Sequence, residues 1–216
     1  MTTSSLDSEP IRGLIESLYA AADQIPQGGS SGFDGRTGTA AERADAAEDR
    51  YLPVSPMAGR LMYSLVHAAR PAVVLEFGMS YGISTLFLAA AVRDNGIGHV
   101  YTTELNAKKI ETAARTFQDA GVADLITILD GDALETIPRM PGDIGFVLLD
   151  GWKELYVPVF DLIEDRLVPG ALLLADNTAN PDVAGYLERV RDPANGYTSV
   201  SLPGKGQDTM ELSCRT

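Results

Sequence analysis

The chain has 216 residues, 45% hydrophobic and 22% charged, a composition that fits one well-buried globular core of common size. Lys and Arg total 17 against 30 Asp and Glu, a formal charge of -13 that excludes a groove neutralising many phosphates, so no nucleic-acid partner is expected. No apolar run approaches the roughly 20 residues that cross a bilayer, and the start "MTTSSLDSEP" lacks a secretory pattern, so the expectation is a cytoplasmic protein with no membrane partner. Cys214 is alone and the histidines are His67 and His99, which leaves any metal to oxygen ligands.

In chain order, "EPIRGLIESLYAAADQI" puts Ile11, Leu14, Ile15, Leu18 and Tyr19 on one helical face. Pro26 to Arg50 is rich in Gly, Ser and Ala and reads as a mobile connection, either a plain linker or a flap over a pocket. The division expected is therefore residues 1–50, an N-terminal helix and Gly-rich lid, and 51–216, the main domain. "SPMAGRLMYSLVHAAR" opens on Ser55 and Pro56 as a helix start, with Met57, Leu61 and Leu65 four apart. Strand "AVVLEF", helix "STLFLAAAVRDNG", strand "HVYTTE", helix "NAKKIETAARTFQDAG" and strand "LITILD" follow. Then come a short helix broken near Pro138, strand "IGFVLLD", helix "ELYVPVFDLIEDRLVPG", strand "ALLLADN" and helix "PDVAGYLERVRD". The tail reads as two strands around a Gly-rich turn. This predicts an α/β fold, a mostly parallel central sheet with helices on both faces and a C-terminal antiparallel hairpin.

In such sheets ligands gather beyond the carboxyl ends of the strands. Those ends carry Glu76 and Gly78, Glu104, Asp130 and Asp132, Asp150, and Asp176 with Asn177. Any one of these acids can be a helix cap. Together they form a ring of oxygen acceptors along one edge. In "LEFGMSYGIST" two glycines stand four apart, too far for a dinucleotide pyrophosphate loop, which puts a nicotinamide dehydrogenase last. Glu76, Gly78 and Ser84 suit a ligand with an amino group and a carboxylate but no phosphate, which describes S-adenosylmethionine; a plain tight turn explains the glycines as well. Glu104 stands where a ribose diol would be held, and Asp132 and Ala133 can address an adenine edge.

The stretches "LEFGMSYGIST", "YTTELN", "LLDGWKELY" and "LLLADN" with Pro181 resemble, in order and spacing, the Rossmann-like class I S-adenosylmethionine-dependent O-methyltransferases, and among them the catechol O-methyltransferase group. The likeness runs from about Tyr51 to the C-terminus. It implies that Val54, Glu76, Gly78, Ser80, Tyr81 and Ser84 line the methionine end of the cofactor. Glu104 and Leu105 would hold the ribose, Asp132 and Ala133 would border the adenine, and Trp152 would pack on it. Asp150, also beside the cofactor, would bind Mg2+ with Asp176 and Asn177, while Lys153 serves as base and Glu211 faces the second hydroxyl. The acceptor implied is a small hydroxylated aromatic molecule, and a homodimer is an allowed assembly. Gly151 departs from the group's usual histidine, and Arg50 or Tyr51 stands where an aromatic gate is expected.

The chemistry accounts for that residue set. A sulfonium is already an activated methyl donor, whereas a phenol of pKa near 10 is mostly protonated at neutral pH. A hard dication polarises the oxygen and templates two neighbouring hydroxyls, and a neutral lysine amine can take the proton. Asp176 and Asn177 are consecutive, so they serve one ion only if the chain bends there. Tyr81, Trp152 and Met210 read either as apolar pocket walls or as ordinary packing. The competing readings are a metal-independent methyltransferase on the same fold and a non-catalytic nucleotide-binding module.

Overall fold

The computed structural model describes residues 3–24 and 38–216. Seven strands make one sheet among these residues: β1 (Val73–Phe77), β2 (His99–Glu104), β3 (Ile126–Asp130), β4 (Ile144–Leu149), β5 (Leu167–Ala175), β6 (Tyr197–Pro203) and β7 (Thr209–Arg215). Their order is β3-β2-β1-β4-β5-β7-β6, with β1 to β5 parallel and β7 antiparallel to both neighbours. β1 is buried along its whole length because both faces of a parallel sheet are covered.

Alternation along β1 divides the core. Val74 packs with α1 (Ile11–Gln24), α3 (Pro56–Ala69), α4 (Ile83–Asn95) and α5 (Ala107–Asp119), while Val73, Leu75 and Phe77 pack with α6 (Ala133–Thr136), α7 (Tyr156–Ile163) and α8 (Ala184–Arg191). Leu6, Ile11, Ile15 and Leu18 are buried in the first cluster, so the N-terminal helix belongs to the same core as the main domain. Tyr19 Oη donates to the Val54 carbonyl at 2.9 Å and ties that helix to the pocket rim.

Several expectations shift in detail. The buried stripe of α3 is Ala58, Met62 and Val66, one residue on from the expected Met57, Leu61 and Leu65, and Met57 is 52% exposed. Val54 is held inside just before the Ser55 cap, which rotates the inward face by one position. Leu167 to Gly170 continue the sheet as part of β5 and do not extend α7; the β4–β5 register slips between Ile144 and Phe146, accommodating Pro169 and Gly170. Of the Gly-rich segment, residues 25–37 lie outside the described residues, but Ala40–Ala46 form a helix, α2, so that part is not a plain linker. No described helix is long and apolar enough to cross a membrane.

Candidate active site

Strand order reverses between β1 and β4, and there the carboxyl ends of the two strands open a crevice. Gly78 follows β1 at φ 101°, and a Cβ on it would lie 2.7 Å from the Gly151 nitrogen. The turns after β1 and β4 are thus in backbone contact. Gly151 is equally confined, since a Cβ there would meet the Phe77 ring at 2.5 Å; Phe77 occupies the room a larger residue would need. From this crevice opens a cavity of about 640 Å³, within the size range of small-molecule sites.

Val54, Gly78, Ser80, Tyr81 and Ser84 line it, as do Glu104, Leu105, Asp132, Ala133, Asp150 and Trp152. Glu76 does not. It stands behind the wall, fully buried between α4 and β2, because β1 alternation puts it on the sheet face that α4 covers. Its Oε2 accepts from Thr85 Oγ1 and Thr102 Oγ1, both at 2.5 Å, while Oε1 has no partner. Burial raises its pKa, and the hydroxyls of Ser84, Thr102 and Thr85 oppose that rise. The Glu76 carboxylate therefore braces the cavity wall from behind and does not face the cavity.

Glu104 is held by three backbone N–H groups, from Ser80, Leu105 and Asn106, each at 2.9 Å. These fix an acceptor at the end of β2, and Asp132 is also the N-cap of α6, accepting from Leu134 N at 2.8 Å. Lys109 was missed. It lines the cavity, is buried, and sits with its Nζ 5.6 Å from the Tyr81 ring centroid. Burial lowers its pKa while Glu104 opposes. Its signal was a lysine on the inward stripe of α5 with Ala113 and Phe117.

At the other half, Asp150, Asp176, Asn177 and Lys153 share the cavity wall. Lys153 Nζ donates to Asp150 Oδ1 at 3.1 Å and to Tyr156 Oη at 2.9 Å. Tyr156, fully buried, has the Leu149 and Asp176 carbonyls within 2.6 and 2.9 Å as acceptors, and burial pushes its pKa well up, so it remains a donor. Burial pushes the Asp150 carboxyl up to about 7, with Lys153 opposing and Asp176 adding; Asp176 is raised chiefly by burial as well. The bend that brings Asp176 and Asn177 together is at Asn177 itself, at φ 56°, two residues after β5 ends. Asn177 Nδ2 donates to Asp208 Oδ2 at 3.0 Å, which leaves Oδ1 to accept a ligand.

No cluster of three or more His, Cys, Asp or Glu is assembled for a metal among the described residues, so any cation here would have two carboxylates and one amide, Asp150, Asp176 and Asn177, to hold it. That set fits an oxygen-preferring dication: Asp176 disfavours the charged form of Asp150, and the one ammonium at hand, Lys153, pairs with Asp150. Glu211 is elsewhere. Its carboxylate is buried in β7 and clamped by Arg191 at 2.9 and 2.7 Å, outside the cavity wall, because its register opposite Ala175 points it toward α8. Met210 is likewise core. Leu52, Pro53, Asn180, Asp182 and Lys205, none of them singled out from the sequence, also line the cavity.

Replacing Tyr156 by Phe removes an acceptor from Lys153 and a donor from two carbonyls. The expected result is a roughly tenfold loss of turnover and about 1–2 kcal/mol of stability, read by steady-state kinetics and urea unfolding; unchanged turnover would remove Tyr156 from the account.

Comparison with known proteins bears on the same residues. A family model described as a methyltransferase domain matches residues 75–178. A catechol O-methyltransferase of Sus scrofa is 30% identical over 151 residues, covering 67% of this chain and 80% of that protein. Catechol O-methyltransferase B of Danio rerio is 34% identical over 167 residues, covering 72% of this chain but only 62% of its own length. Among solved structures, an O-methyltransferase of Streptomyces achromogenes in complex with S-adenosylmethionine superposes with a TM-score of 0.67 at 23% identity, covering 97% of this chain and 100% of that one.

Proposed function

Because the chain belongs to the class I S-adenosylmethionine-dependent O-methyltransferases, we propose that it methylates one hydroxyl of a catechol-like, vicinal dihydroxy small molecule with the help of bound Mg2+. The observation that carries this reading is the juxtaposition of Asp150, mostly buried, and Asp176, buried, with Lys153 at the cavity wall. Bound S-adenosylmethionine supplies an activated methyl group, and a bound dication lowers the pKa of a phenol that chelates it. The chain's own groups do the rest. Asp150, Asp176 and Asn177 Oδ1 would hold the cation. Lys153 Nζ, steered by Asp150 and Tyr156, would take the proton of the attacking hydroxyl. Glu104 would accept from the ribose hydroxyls, and Leu52 and Pro53 would cover the acceptor ring.

The test is transfer of labelled methyl from S-adenosylmethionine to a panel of catechols and single phenols, with Mg2+ or with EDTA. Reaction confined to vicinal diols and abolished by EDTA supports the proposal. Equal reaction of single phenols, surviving EDTA, contradicts it and selects the metal-independent reading, which draws on the Lys153–Asp150 ion pair as a self-sufficient neutralised couple.

A pH dependence follows from Asp150. Its value in the folded protein, about 7, lies above the ordinary 3.8, so its contribution to metal-free stability is full below 3.8 and is lost as pH rises through about 7. A cation needs the carboxylate, so Mg2+ should raise the Tm little at pH 5.5 and most above about pH 7.5, its affinity falling up to about tenfold per unit below 7. Thermal scans with and without Mg2+ across that range check this; an equal Tm gain at both ends contradicts it.

A further inference from the structure

The residues from Thr39 to Tyr51 cross the cofactor half of the cavity. Thr39 starts α2 with a reciprocal cap, its Oγ1 accepting from Glu42 N at 3.2 Å and its own N–H donating to Glu42 Oε2 at 2.8 Å. That cap fixes which face of a short helix turns inward. From the inward face Arg43, 8% exposed, lays its guanidinium 4.5 Å from the centroid of the Trp152 ring and pairs with Glu154. Further along, Asp45 Oδ1 accepts from Asn106 Nδ2 at 3.1 Å, and the Glu48 carbonyl accepts from Tyr81 Oη at 2.6 Å. Asp49 pairs with Lys108, and Tyr51 stacks on Tyr81 with ring centroids 4.1 Å apart. Ala44 and Ala47 line the cavity beneath. The segment thus spans from the turn after β4 to the loop after β1 and the start of α5.

We propose that this segment is a strap over the cofactor and that Arg43 is its positioning residue, acting through Trp152 to set how tightly and how long the cofactor is held. A guanidinium stacked on an indole holds the ring plane still, and Trp152 so held lines the cavity. Glu154, two residues beyond Trp152, fixes the guanidinium in turn. The far end is weaker. Lys108 and Asp49 are both exposed, where an ion pair has little value, so the strap opens from the Lys108 side and Arg43 is its firm end. A ring ordered before binding lowers the entropy cost of association. The inference rests on the reading of Trp152 as the wall of the adenine subsite.

Trp152 is the chain's only tryptophan, so the protein's tryptophan emission reports the surroundings of this one ring. In the wild-type protein, titration with S-adenosylhomocysteine should quench that emission. In Arg43→Ala the unliganded emission should shift, the Kd for S-adenosylhomocysteine should rise about tenfold with a matching rise in dissociation rate, and the KM for S-adenosylmethionine should rise while kcat moves less than about twofold. Arg43→Lys, which keeps the charge but not the planar stack, should fall between. Arg115→Ala, which removes only an exposed pair with Glu111, should match wild type. If Arg43→Ala does not fold, Glu154→Gln is measured in the same way, with a Kd expected to rise about threefold. Wild-type emission, Kd and dissociation rate in the variant that folds overturn the strap while leaving the adenine subsite intact. Calorimetric binding of S-adenosylhomocysteine to wild type with no change in Trp152 emission overturns both.

Discussion

Replacing Asp150 by Ala lowers methyl transfer by about 10²–10³-fold, a loss of roughly 3–4 kcal/mol of transition-state stabilisation, the scale of other preorganised electrostatic deletions. The side chain is one of two carboxylates at this part of the cavity wall, with Asp176, and the partner that holds Lys153 Nζ at 3.1 Å. On the proposed reading its removal would take away a cation ligand and free the Lys153 amine from its partner, so both devices proposed to prepare the phenol would fail together. Asp150→Asn keeps the volume and removes only the charge, and it should lose nearly as much. Cofactor affinity should largely survive, because the Gly78 turn, Glu104 and Trp152 are unaltered. Kinetics at saturating cofactor, set beside calorimetry with S-adenosylhomocysteine, separate these effects; a loss confined to cofactor affinity contradicts the assignment.

Replacing Gly78 by Ala has the opposite signature: cofactor binding falls at least about 100-fold and stability falls by about 1–3 kcal/mol. The added Cβ would lie 2.7 Å from Gly151 N, 2.8 Å from Gly151 Cα and 2.9 Å from the Asp150 carbonyl carbon, all backbone, at a φ of 101°. No rotamer change relieves backbone contacts, so the turn after β4 must move. Asp150 and Trp152 flank that turn and move with it. Gly170→Ala is the control, since its φ is 81° but nothing lies within 4 Å of the added Cβ; it should cost about 1 kcal/mol and leave binding intact. Calorimetry and thermal melts of the two variants test this. Wild-type affinity in Gly78→Ala would show that the two turns do not form the cofactor cradle.

What the sequence could and could not disclose follows from the range of the interactions involved. Strands such as β1 and β4 are local apolar runs bounded by glycine or aspartate, so their alternation with helices was legible, and with it the edge where Glu104, Asp132, Asp150 and Asp176 collect. Lys153 was legible because three residues separate it from Asp150 across a single turn. The phase of α3 was not, since Met57 and Met62 are equally apolar and only Val54 docking chooses between them. Glu211 failed for a similar reason: a carboxylate on the last strand has no local mark that α8 will offer Arg191. Glu76 was read on the wall when its alternation in β1 turns it toward Thr85 and Thr102. The α2 strap depends on Trp152 and Glu154, more than a hundred residues away, which no periodicity in residues 26–50 can encode.

The central claim, that Asp150, Asp176 and Asn177 converge on one cation beside the methyl donor, is tested most directly by anomalous diffraction from crystals grown with Mn2+ and S-adenosylhomocysteine. One peak about 2.0–2.3 Å from an oxygen of each of the three side chains is the expected result. A cofactor-filled pocket with no peak there, and Lys153 still paired to Asp150, would contradict it.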